Sequence, residues 1–397
     1  MKRTLSLALY LAISVALLPL QLAQAHPGHH HHDKATGAKH SHTHSHDADA
    51  AENNADGTLT LAQADATATA PASVPGVTGQ GDYKFKLLYK GDHLPAEAVA
   101  VLTKAHGGFA VDRREGKGEI YFALPGAGII EISADLAKTR MIPTPATMKD
   151  TNLHNAGIWY NKDAAYLVFP GNDVGKVFTT TIDGTLVNTL DAPTADFDFD
   201  EPVVNKYFDE GGKFVPTDVA KLGGRYYITT GYSPLDYVLT ANVARANPEK
   251  VAWSDLAFGG KGTNPGQFGT GHGVTISPDG KHVTIADRPN AEIDRFTRFG
   301  HYRDTVKLPE GSLACDIDYM DELAIVGCLN GPAKDKGAPI YILKGDAIVS
   351  TLMPKEDLGL PNFTHIHNAT FTKVGDKIYV IAQAWNPGDF AILEQVK

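Results

Sequence analysis

The chain has few cysteines and few basic residues for its length, and both scarcities narrow the possible functions. Only two of its 397 residues are cysteine, Cys315 and Cys328, which is too few for a disulfide-rich scaffold or a four-cysteine zinc site. The 36 lysines and arginines are outnumbered by 46 aspartates and glutamates. The resulting net charge of −10 argues against nucleic acid or an anionic membrane surface as the main partner.

Long apolar runs are also scarce, and the only one lies in the first 25 residues. Two basic residues precede an apolar stretch from Leu5 to Leu20, and Ala23-Gln24-Ala25 follows as a small-residue cleavage site. We therefore expect residues 1–25 to be a signal peptide rather than an uncleaved anchor. No later segment predicts a membrane span, so the mature protein is expected to be periplasmic or secreted.

An export signal bears on the two cysteines. In the stretch ACDIDYMDELAIVGC they flank two short β-like runs that are joined by a tight turn near Asp321-Glu322. A simple hairpin register places Cys315 opposite Cys328, and an oxidising compartment would allow a cross-strand disulfide between them. Two free thiols are the alternative.

Histidine, by contrast, is concentrated. Nine of the 17 histidines lie between His26 and His46, mixed with aspartate, serine and threonine. The stretch that follows, to about residue 80, has little apolar surface to bury, so we expect residues 26–80 to be disordered. Interchangeable imidazoles suit the capture of zinc, copper or nickel, and the irregular tract directly after a signal peptide does not look like an expression tag.

The rest of the chain, residues 81–397, repeats one phrase. An anchor residue is followed by an alternating strand, a glycine or aspartate turn and a second strand, and abundant glycine (39) and proline (23) favour an all-β fold. Intervals of 43 to 63 residues between anchors suit four-stranded blades, so the pattern predicts a six-bladed β-propeller over a β-sandwich. The six anchors are His106, Thr217, Cys315 and three further histidines, His154, His272 and His367.

Two of these phrases resemble a known family. NPGQFGTGHGVTISPDGKHVTIADRPNAEIDRFTRFGHY is similar to an NHL repeat, and KFVPTDVAKLGGRYYITTGY and NFTHIHNATFTKVGDKIYV resemble the peptidyl-α-hydroxyglycine amidating lyases. The resemblance covers roughly residues 150–395. It implies a six-bladed propeller with three histidines from alternate blades holding an axial zinc ion, a tyrosine and arginines around it, and a calcium ion in the channel.

Carried onto matching positions, the resemblance implies His154, His272 and His367 as metal ligands, with Tyr232 and Arg288 as candidate catalytic residues. The repeats agree with this ligand set, because the three histidines open the second, fourth and sixth phrases. Alternate members of a six-membered ring lie about 120° apart, so three imidazoles at equivalent positions would converge on the axis. His106 is interpreted as structural or channel-lining. For each axial histidine the alternative is a hydrogen bond to backbone; for Tyr232 it is packing, and for Arg288 an ion pair.

The chain also departs from that family. Leu124 and Pro125 stand where the family has a substrate-binding arginine. Asn368 replaces an aspartate, which weakens a calcium site. His365, two residues before His367 on the predicted strand, is a candidate fourth ligand.

Two functions remain open at this stage. One is a zinc-dependent lyase or hydrolase acting on a small-molecule or peptide substrate. The other is a non-catalytic protein that binds zinc, copper or nickel and passes it to a metal-transport binding protein. Tyr232 and Arg288 favour the first, whereas the histidine tract and the missing arginine favour the second.

Overall fold

The computed structural model describes residues 75–396, and 25 strands in this range fall into six antiparallel sheets. The predicted signal peptide and nearly all of the histidine-rich segment lie outside the described residues. The first eleven strands are β1 (Val77–Gln80), β2 (Tyr83–Lys90), β3 (Ala110–Val111), β4 (Ile120–Leu124), β5 (Gly128–Ile132), β6 (Thr139–Met141), β7 (Gly157–Asn161), β8 (Ala164–Gly171), β9 (Lys176–Thr181), β10 (Leu186–Asp191) and β11 (Asp218–Leu222).

The remaining strands are β12 (Arg225–Thr229), β13 (Tyr237–Val243), β14 (Val251–Gly259), β15 (Gly271–Ile276), β16 (His282–Asp287), β17 (Glu292–Thr297), β18 (Tyr302–Lys307), β19 (Ala314–Met320), β20 (Leu323–Cys328), β21 (Ile340–Lys344), β22 (Ala347–Leu352), β23 (Ile366–Val374), β24 (Lys377–Ala384) and β25 (Asp389–Val396). The helices are α1 (Ala96–Val99), α2 (Ala146–Lys149), α3 (Pro202–Asp209) and α4 (Pro354–Asp357), with 3₁₀ turns at Gly91–His93 and Leu102–Lys104. None of the helices within residues 75–396 has the length and apolar character needed to cross a membrane.

The sheets are the six blades of a β-propeller, which confirms the predicted fold. Blades 1 to 5 are β3–β6, β7–β10, β11–β14, β15–β18 and β19–β22, each a four-stranded meander in chain order. The first strands of successive blades pack against one another and form the inner wall of the ring. Each of these strands begins at one of the six repeated anchor phrases, so the sequence period and the blade period coincide.

Blade 6 closes the ring by joining the two ends of the described chain. Its strands β23, β24 and β25 pair in order, and β2 then adds to the outer side of β25, with β1 beyond it. The predicted domain boundary at residue 81 therefore falls inside the β1–β2 hairpin. This non-local closure was not visible in the repeat pattern, because the first two strands carry no anchor phrase.

Apolar side chains fill the spaces between blades rather than a single central core. Each of the six buried clusters in the described residues draws on two neighbouring blades. The middle strands are accordingly buried on both faces, as in β20. The centre of the ring is left to the polar residues at the start of each inner strand.

The closure strand β2 supplies a clear test of this packing. Phe85 is fully buried in the cluster between blades 5 and 6, so Phe85→Ala should lower the free energy of unfolding by about 3 to 5 kcal/mol. Leu88→Ala on the same strand, where the side chain is exposed, should cost well under 1 kcal/mol. Urea unfolding of the two variants measures the difference, and equal losses would mean that β2 does not seal the ring.

Candidate metal centre

Local irregularities at the start of the inner strands turn the anchor side chains toward the axis. In blades 4, 5 and 6 the anchor is the extra residue of a β-bulge, since the register shifts by one at His272, Cys315 and His367. A bulge bends the strand and redirects the side chain of its extra residue. His154 lies just before β7, where its backbone N–H donates to the carbonyl of Pro170.

These bends bring the three predicted ligands together. The ring centroid of His154 lies 4.7 Å from that of His272 and 4.6 Å from that of His367. The ring centroids of His272 and His367 are 5.1 Å apart. All three side chains are buried. The structure thus forms an axial imidazole cluster from blades 2, 4 and 6.

Each of the three imidazoles is oriented by the blade that follows it in the ring. Its Nδ1 lies within hydrogen-bond distance of the carbonyl oxygen at the anchor position of the next blade. The bonds join His154 to Thr217 (2.7 Å), His272 to Cys315 (2.6 Å) and His367 to Gly107 (3.0 Å). A carbonyl oxygen only accepts hydrogen bonds, so the proton of each neutral ring is on Nδ1 and the lone pair is on Nε2.

Burial keeps these rings neutral. Removal from water is the largest cause that lowers the pKa of His154, His272 and His367 well below its usual range, and the Arg288 charge lowers it further. Yet Nε2 of His154 and Nε2 of His367 are only 3.2 Å apart. With both protons on Nδ1, no hydrogen lies between these atoms, and two lone pairs face each other. A cation between or beside them would satisfy both at once, and the donor set therefore suits a metal ion.

Tyr232 and Arg288 both reach the cluster. The Tyr232 hydroxyl lies 3.2 Å from Nε2 of His154 and 3.0 Å from Nε2 of His272. Arg288 donates through Nη1 to the tyrosine oxygen (2.9 Å) and through Nη2 to Nε2 of His272 (2.7 Å). Burial raises the pKa of Tyr232, although Arg288 opposes that shift, so the phenol is protonated at neutral pH.

The guanidinium of Arg288 is buried without a carboxylate partner among the residues described. Its own neighbour Asp287 faces away from it, because the Asp287 oxygens accept from the backbone N–H groups of Gly269 and Thr270 and from the Asn290 amide. Nε of Arg288 is buried with no hydrogen-bond partner. The arginine thus places an uncompensated positive charge beside the imidazoles, an environment that attracts an anion.

His106 joins the cluster in a way that the sequence reading missed. Its ring centroid lies 4.5 Å from those of both His154 and His367, and the ring nitrogens of these three lie within 4.8 Å of one another, a spacing that could hold a metal ion. The carbonyl that accepts from His367 belongs to Gly107, so Gly107 rather than His106 holds the anchor position of blade 1. His106 therefore precedes the anchor position by one residue. Its Nδ1 contacts the Asn152 amide at 3.1 Å, and burial lowers its pKa to about 4.

His365 is not brought into the cluster. The bulge at His367 breaks the simple alternation on which its prediction rested, and His365 lies just before β23. Its Nδ1 lies 2.9 Å from the Leu329 carbonyl and from the Asn330 side chain, and its ring is 6.1 Å from that of Trp385. It lies outside the cluster, near Trp385.

The mouth on the histidine side is a cavity of about 320 Å³. Trp385 stacks on His106 at 5.3 Å there, and Pro125, from the predicted departure in blade 1, also lines it. Lys104 is the one charged side chain among the residues that line this cavity. The approach to the cluster is therefore aromatic and positively charged.

One residue further along the inner strands, the channel becomes acidic. Asp218 and Asp316 follow the anchors of blades 3 and 5, and Asn155 and Asn368 follow those of blades 2 and 6. Asn368 donates through Nδ2 to Asp316 Oδ2 at 2.5 Å, and Asn155 donates to the same oxygen at 3.1 Å. The amides thus present N–H donors to the carboxylate, which is consistent with a weakened calcium site.

The predicted disulfide is not present in the structure, where Cys315 and Cys328 are both free, buried thiols. The hairpin register pairs Cys328 with Ala314, and Cys315 is the extra residue of the bulge. Its Sγ instead accepts a hydrogen bond from Arg288 Nη2 at 3.2 Å. The bulge that orients the anchor thereby removes the cross-strand geometry.

No model of a known protein family and no curated protein sequence matches this chain. Among solved structures, one described as a streptogramin B lyase is 15% identical over 72% of this chain and 78% of its own, with a TM-score of 0.42. Virginiamycin B lyase from Staphylococcus aureus is 13% identical over 74% of this chain and 96% of its own, with a TM-score of 0.45. A nidogen/laminin complex also matches, at 11% identity over 71% of this chain and 94% of its own and a TM-score of 0.42. At these values the likeness says nothing about chemistry.

The acidic layer predicts a distinctive pH dependence. Burial raises the pKa of Asp316 to about 7, and burial together with the Asp316 charge raises the pKa of Asp218. A carboxyl group with a raised folded-state pKa stabilises the fold at low pH, and that contribution is lost as the pH rises through about 7. Asp316→Asn should therefore gain stability relative to the wild type between pH 4 and pH 8, on the order of 2 kcal/mol.

Urea unfolding in EDTA at the two pH values measures this difference. Asp335→Asn, at an exposed acidic residue of the same blade, is the matched control and should follow the wild type at both pH values. Parallel pH profiles for Asp316→Asn and the wild type would refute the raised pKa.

Proposed function

We propose that His154, His272 and His367 bind one zinc ion on the propeller axis, and that this centre catalyses a lyase or hydrolase reaction on a small, anionic substrate. The observation that carries the proposal is the pair of facing Nε2 lone pairs, with each Nδ1 proton fixed by a backbone carbonyl. Neutral imidazoles oriented in this way are the ligands of catalytic zinc sites, which keep a position open.

The tautomers favour His272 over His106 as the third ligand. Nδ1 of His272 donates to a carbonyl, so its lone pair is on Nε2, where a metal ion would replace the hydrogen bond from Arg288. Nδ1 of His106 contacts the side-chain amide of Asn152 instead, so no backbone carbonyl fixes the proton of this ring on Nδ1. With its proton on Nε2, His106 would donate a hydrogen bond at the edge of the site to an oxygen of the substrate.

In this proposal, Arg288 and Tyr232 have separate roles beside the metal ion. A zinc ion at this position would polarise a substrate oxygen as a Lewis acid. Arg288, with no carboxylate partner, binds the carboxylate of the substrate through the fork of its guanidinium. Tyr232 holds a proton at its hydroxyl oxygen beside the imidazoles and exchanges it with the reacting group.

The resemblance to amidating lyases supplies a specific substrate class to test, a peptide ending in α-hydroxyglycine. The substrate specificity is expected to differ from that of the family, because Pro125 lines the mouth at the position where that family has an arginine. The carboxylate of a substrate must then rely on Arg288, with Lys104 nearby. A shorter or less extended substrate fits this reduced set of contacts.

A second function is favoured by the histidine tract. Nine histidines between His26 and His46 are unnecessary for catalysis but suit metal capture at the cell surface or in the periplasm. We propose, with the signal peptide at 1–25, that the protein is exported, and that the histidine-rich segment before β1 loads the axial site. If the axial centre has no activity, the whole protein is a metal-handling protein that passes its ion to a transport partner.

Metal content tests the ligand set. A variant lacking residues 26–74 should hold about one zinc ion per chain after dialysis, measured by plasma mass spectrometry. His154→Ala and His272→Ala in this background should lose it, because two imidazoles bind zinc far more weakly than three. His106→Ala should keep it, and His301→Ala, at an exposed histidine, is the matched control.

Loss of zinc in His106→Ala with retention in His272→Ala would assign the third ligand to His106 instead. Retention of one zinc ion in His154→Ala would refute the axial site altogether.

Turnover tests catalysis. The zinc-loaded protein should release glyoxylate from a peptide ending in α-hydroxyglycine, and Tyr232→Phe should reduce kcat by about 100-fold or more while keeping the metal. Tyr160→Phe, at a tyrosine of comparable exposure in a separate cavity that Asp218 and Asp316 also line, should change neither. A zinc-loaded wild type without turnover on this or related hydroxy acids would favour the metal-handling function.

A further inference from the structure

Blade 4 contains a second group of titratable side chains, separate from the axis. Asp287, Glu292 and Asp294 are buried, with exposed fractions of 0%, 4% and 0%. One carboxylate oxygen from each lies within 4.8 Å of the others. Neither the proposed zinc centre nor the channel layer uses this group.

The strand register places the three acids on one face. Asp287 at the end of β16 pairs with Glu292 at the start of β17, and Asp294 follows Glu292 by two residues. The same face further along β17 carries Phe296, which packs in the apolar cluster between blades 3 and 4. The acids therefore lie at the polar end of an otherwise apolar interface.

The charges of this group are only partly compensated. Lys307 contacts Glu292, and its side chain is 72% exposed. Lys261 pairs with Asp236 nearby. Lys307 neutralises one of the three carboxylates, so two negative charges remain buried. Isolated buried carboxylates are strongly disfavoured.

One oxygen of the group has no partner at all. Asp294 accepts a hydrogen bond from the Thr305 hydroxyl at Oδ1, whereas its Oδ2 is buried without any hydrogen-bond partner. Buried polar atoms in folded proteins are nearly always satisfied. Burial also raises the pKa of Asp294 to about 6, which leaves the group largely ionised at neutral pH rather than satisfied as a protonated acid.

We propose that Asp287, Glu292 and Asp294 bind a calcium ion that supports the loop leading into β15. Carboxylate oxygens select hard cations, and the two uncompensated charges match a divalent one. Calcium accepts irregular sets of oxygen ligands at longer distances, whereas magnesium demands near-ideal octahedral geometry, so three carboxylates fixed by the strand register suit calcium better.

The position of this site connects it to the axis. Asp287 accepts hydrogen bonds from the backbone N–H groups of Gly269 and Thr270, three and two residues before His272. The residue after Asp287 is Arg288. A cation at the acidic group would thus fix both the entry to the His272 bulge and the base of the Arg288 side chain.

Calcium titration of the full-length, EDTA-treated protein tests the proposal independently of any activity. Addition of calcium chloride to the wild type should raise Tm by a few degrees and saturate with one site. Asp294→Asn should abolish the response. Asp279→Asn, at an exposed aspartate in a turn of the same blade, and Asp316→Asn, in the channel, should respond like the wild type.

Terbium luminescence, displaced by calcium, provides a second readout with Glu292→Gln, in case Asp294→Asn does not fold. Loss of terbium binding in Glu292→Gln supports the site. An unchanged Tm of the wild type in millimolar calcium, or loss of the response in Asp316→Asn but not in Asp294→Asn, would overturn it.

Discussion

The contact on which the axial arrangement depends is the hydrogen bond from a histidine Nδ1 to a backbone carbonyl of the next blade. It occurs three times around the ring, at His154, His272 and His367. Each bond joins two blades and also decides which nitrogen keeps its lone pair. The same interaction therefore closes the inner wall and prepares the candidate metal centre, and neither can be altered without the other.

This double role explains which parts of the site the sequence could predict. The repeated anchor phrase revealed the six blades, and the alternation of three histidines along it indicated convergence, because blades of similar length have a fixed angular spacing. Tyr232 and Arg288 were found through resemblance and reach the cluster. Their contacts could not be read from spacing, since Arg288 approaches through the turn between β16 and β17 and Tyr232 follows a strand of another blade.

Where the geometry departs from the expectations for His365 and for the two cysteines, the physical cause is a β-bulge. Simple alternation placed His365 on the axis with His367 and set Cys315 opposite Cys328. An extra residue at Cys315 and at His367 shifts the register, so His365 lies outside the cluster and Cys315 contacts Arg288. His106 was undervalued for a related reason, because an anchor displaced by one residue can still direct its ring to the same place. A signal for such bulges exists only in the structure of the ladder.

The distribution of charge makes the two ends of the channel different. At the histidine layer a buried arginine without a carboxylate favours anions, whereas one residue further down the channel Asp218 and Asp316 offer no positive charge to hold one. In the proposed function, a negatively charged ligand that enters from the mouth lined by Trp385 would therefore bind at the depth of the imidazoles. Since Asp287 accepts its hydrogen bonds from the loop before β15, no carboxylate of the described residues pairs with Arg288, and this unpaired charge supports the proposal that an anion binds beside the metal ion.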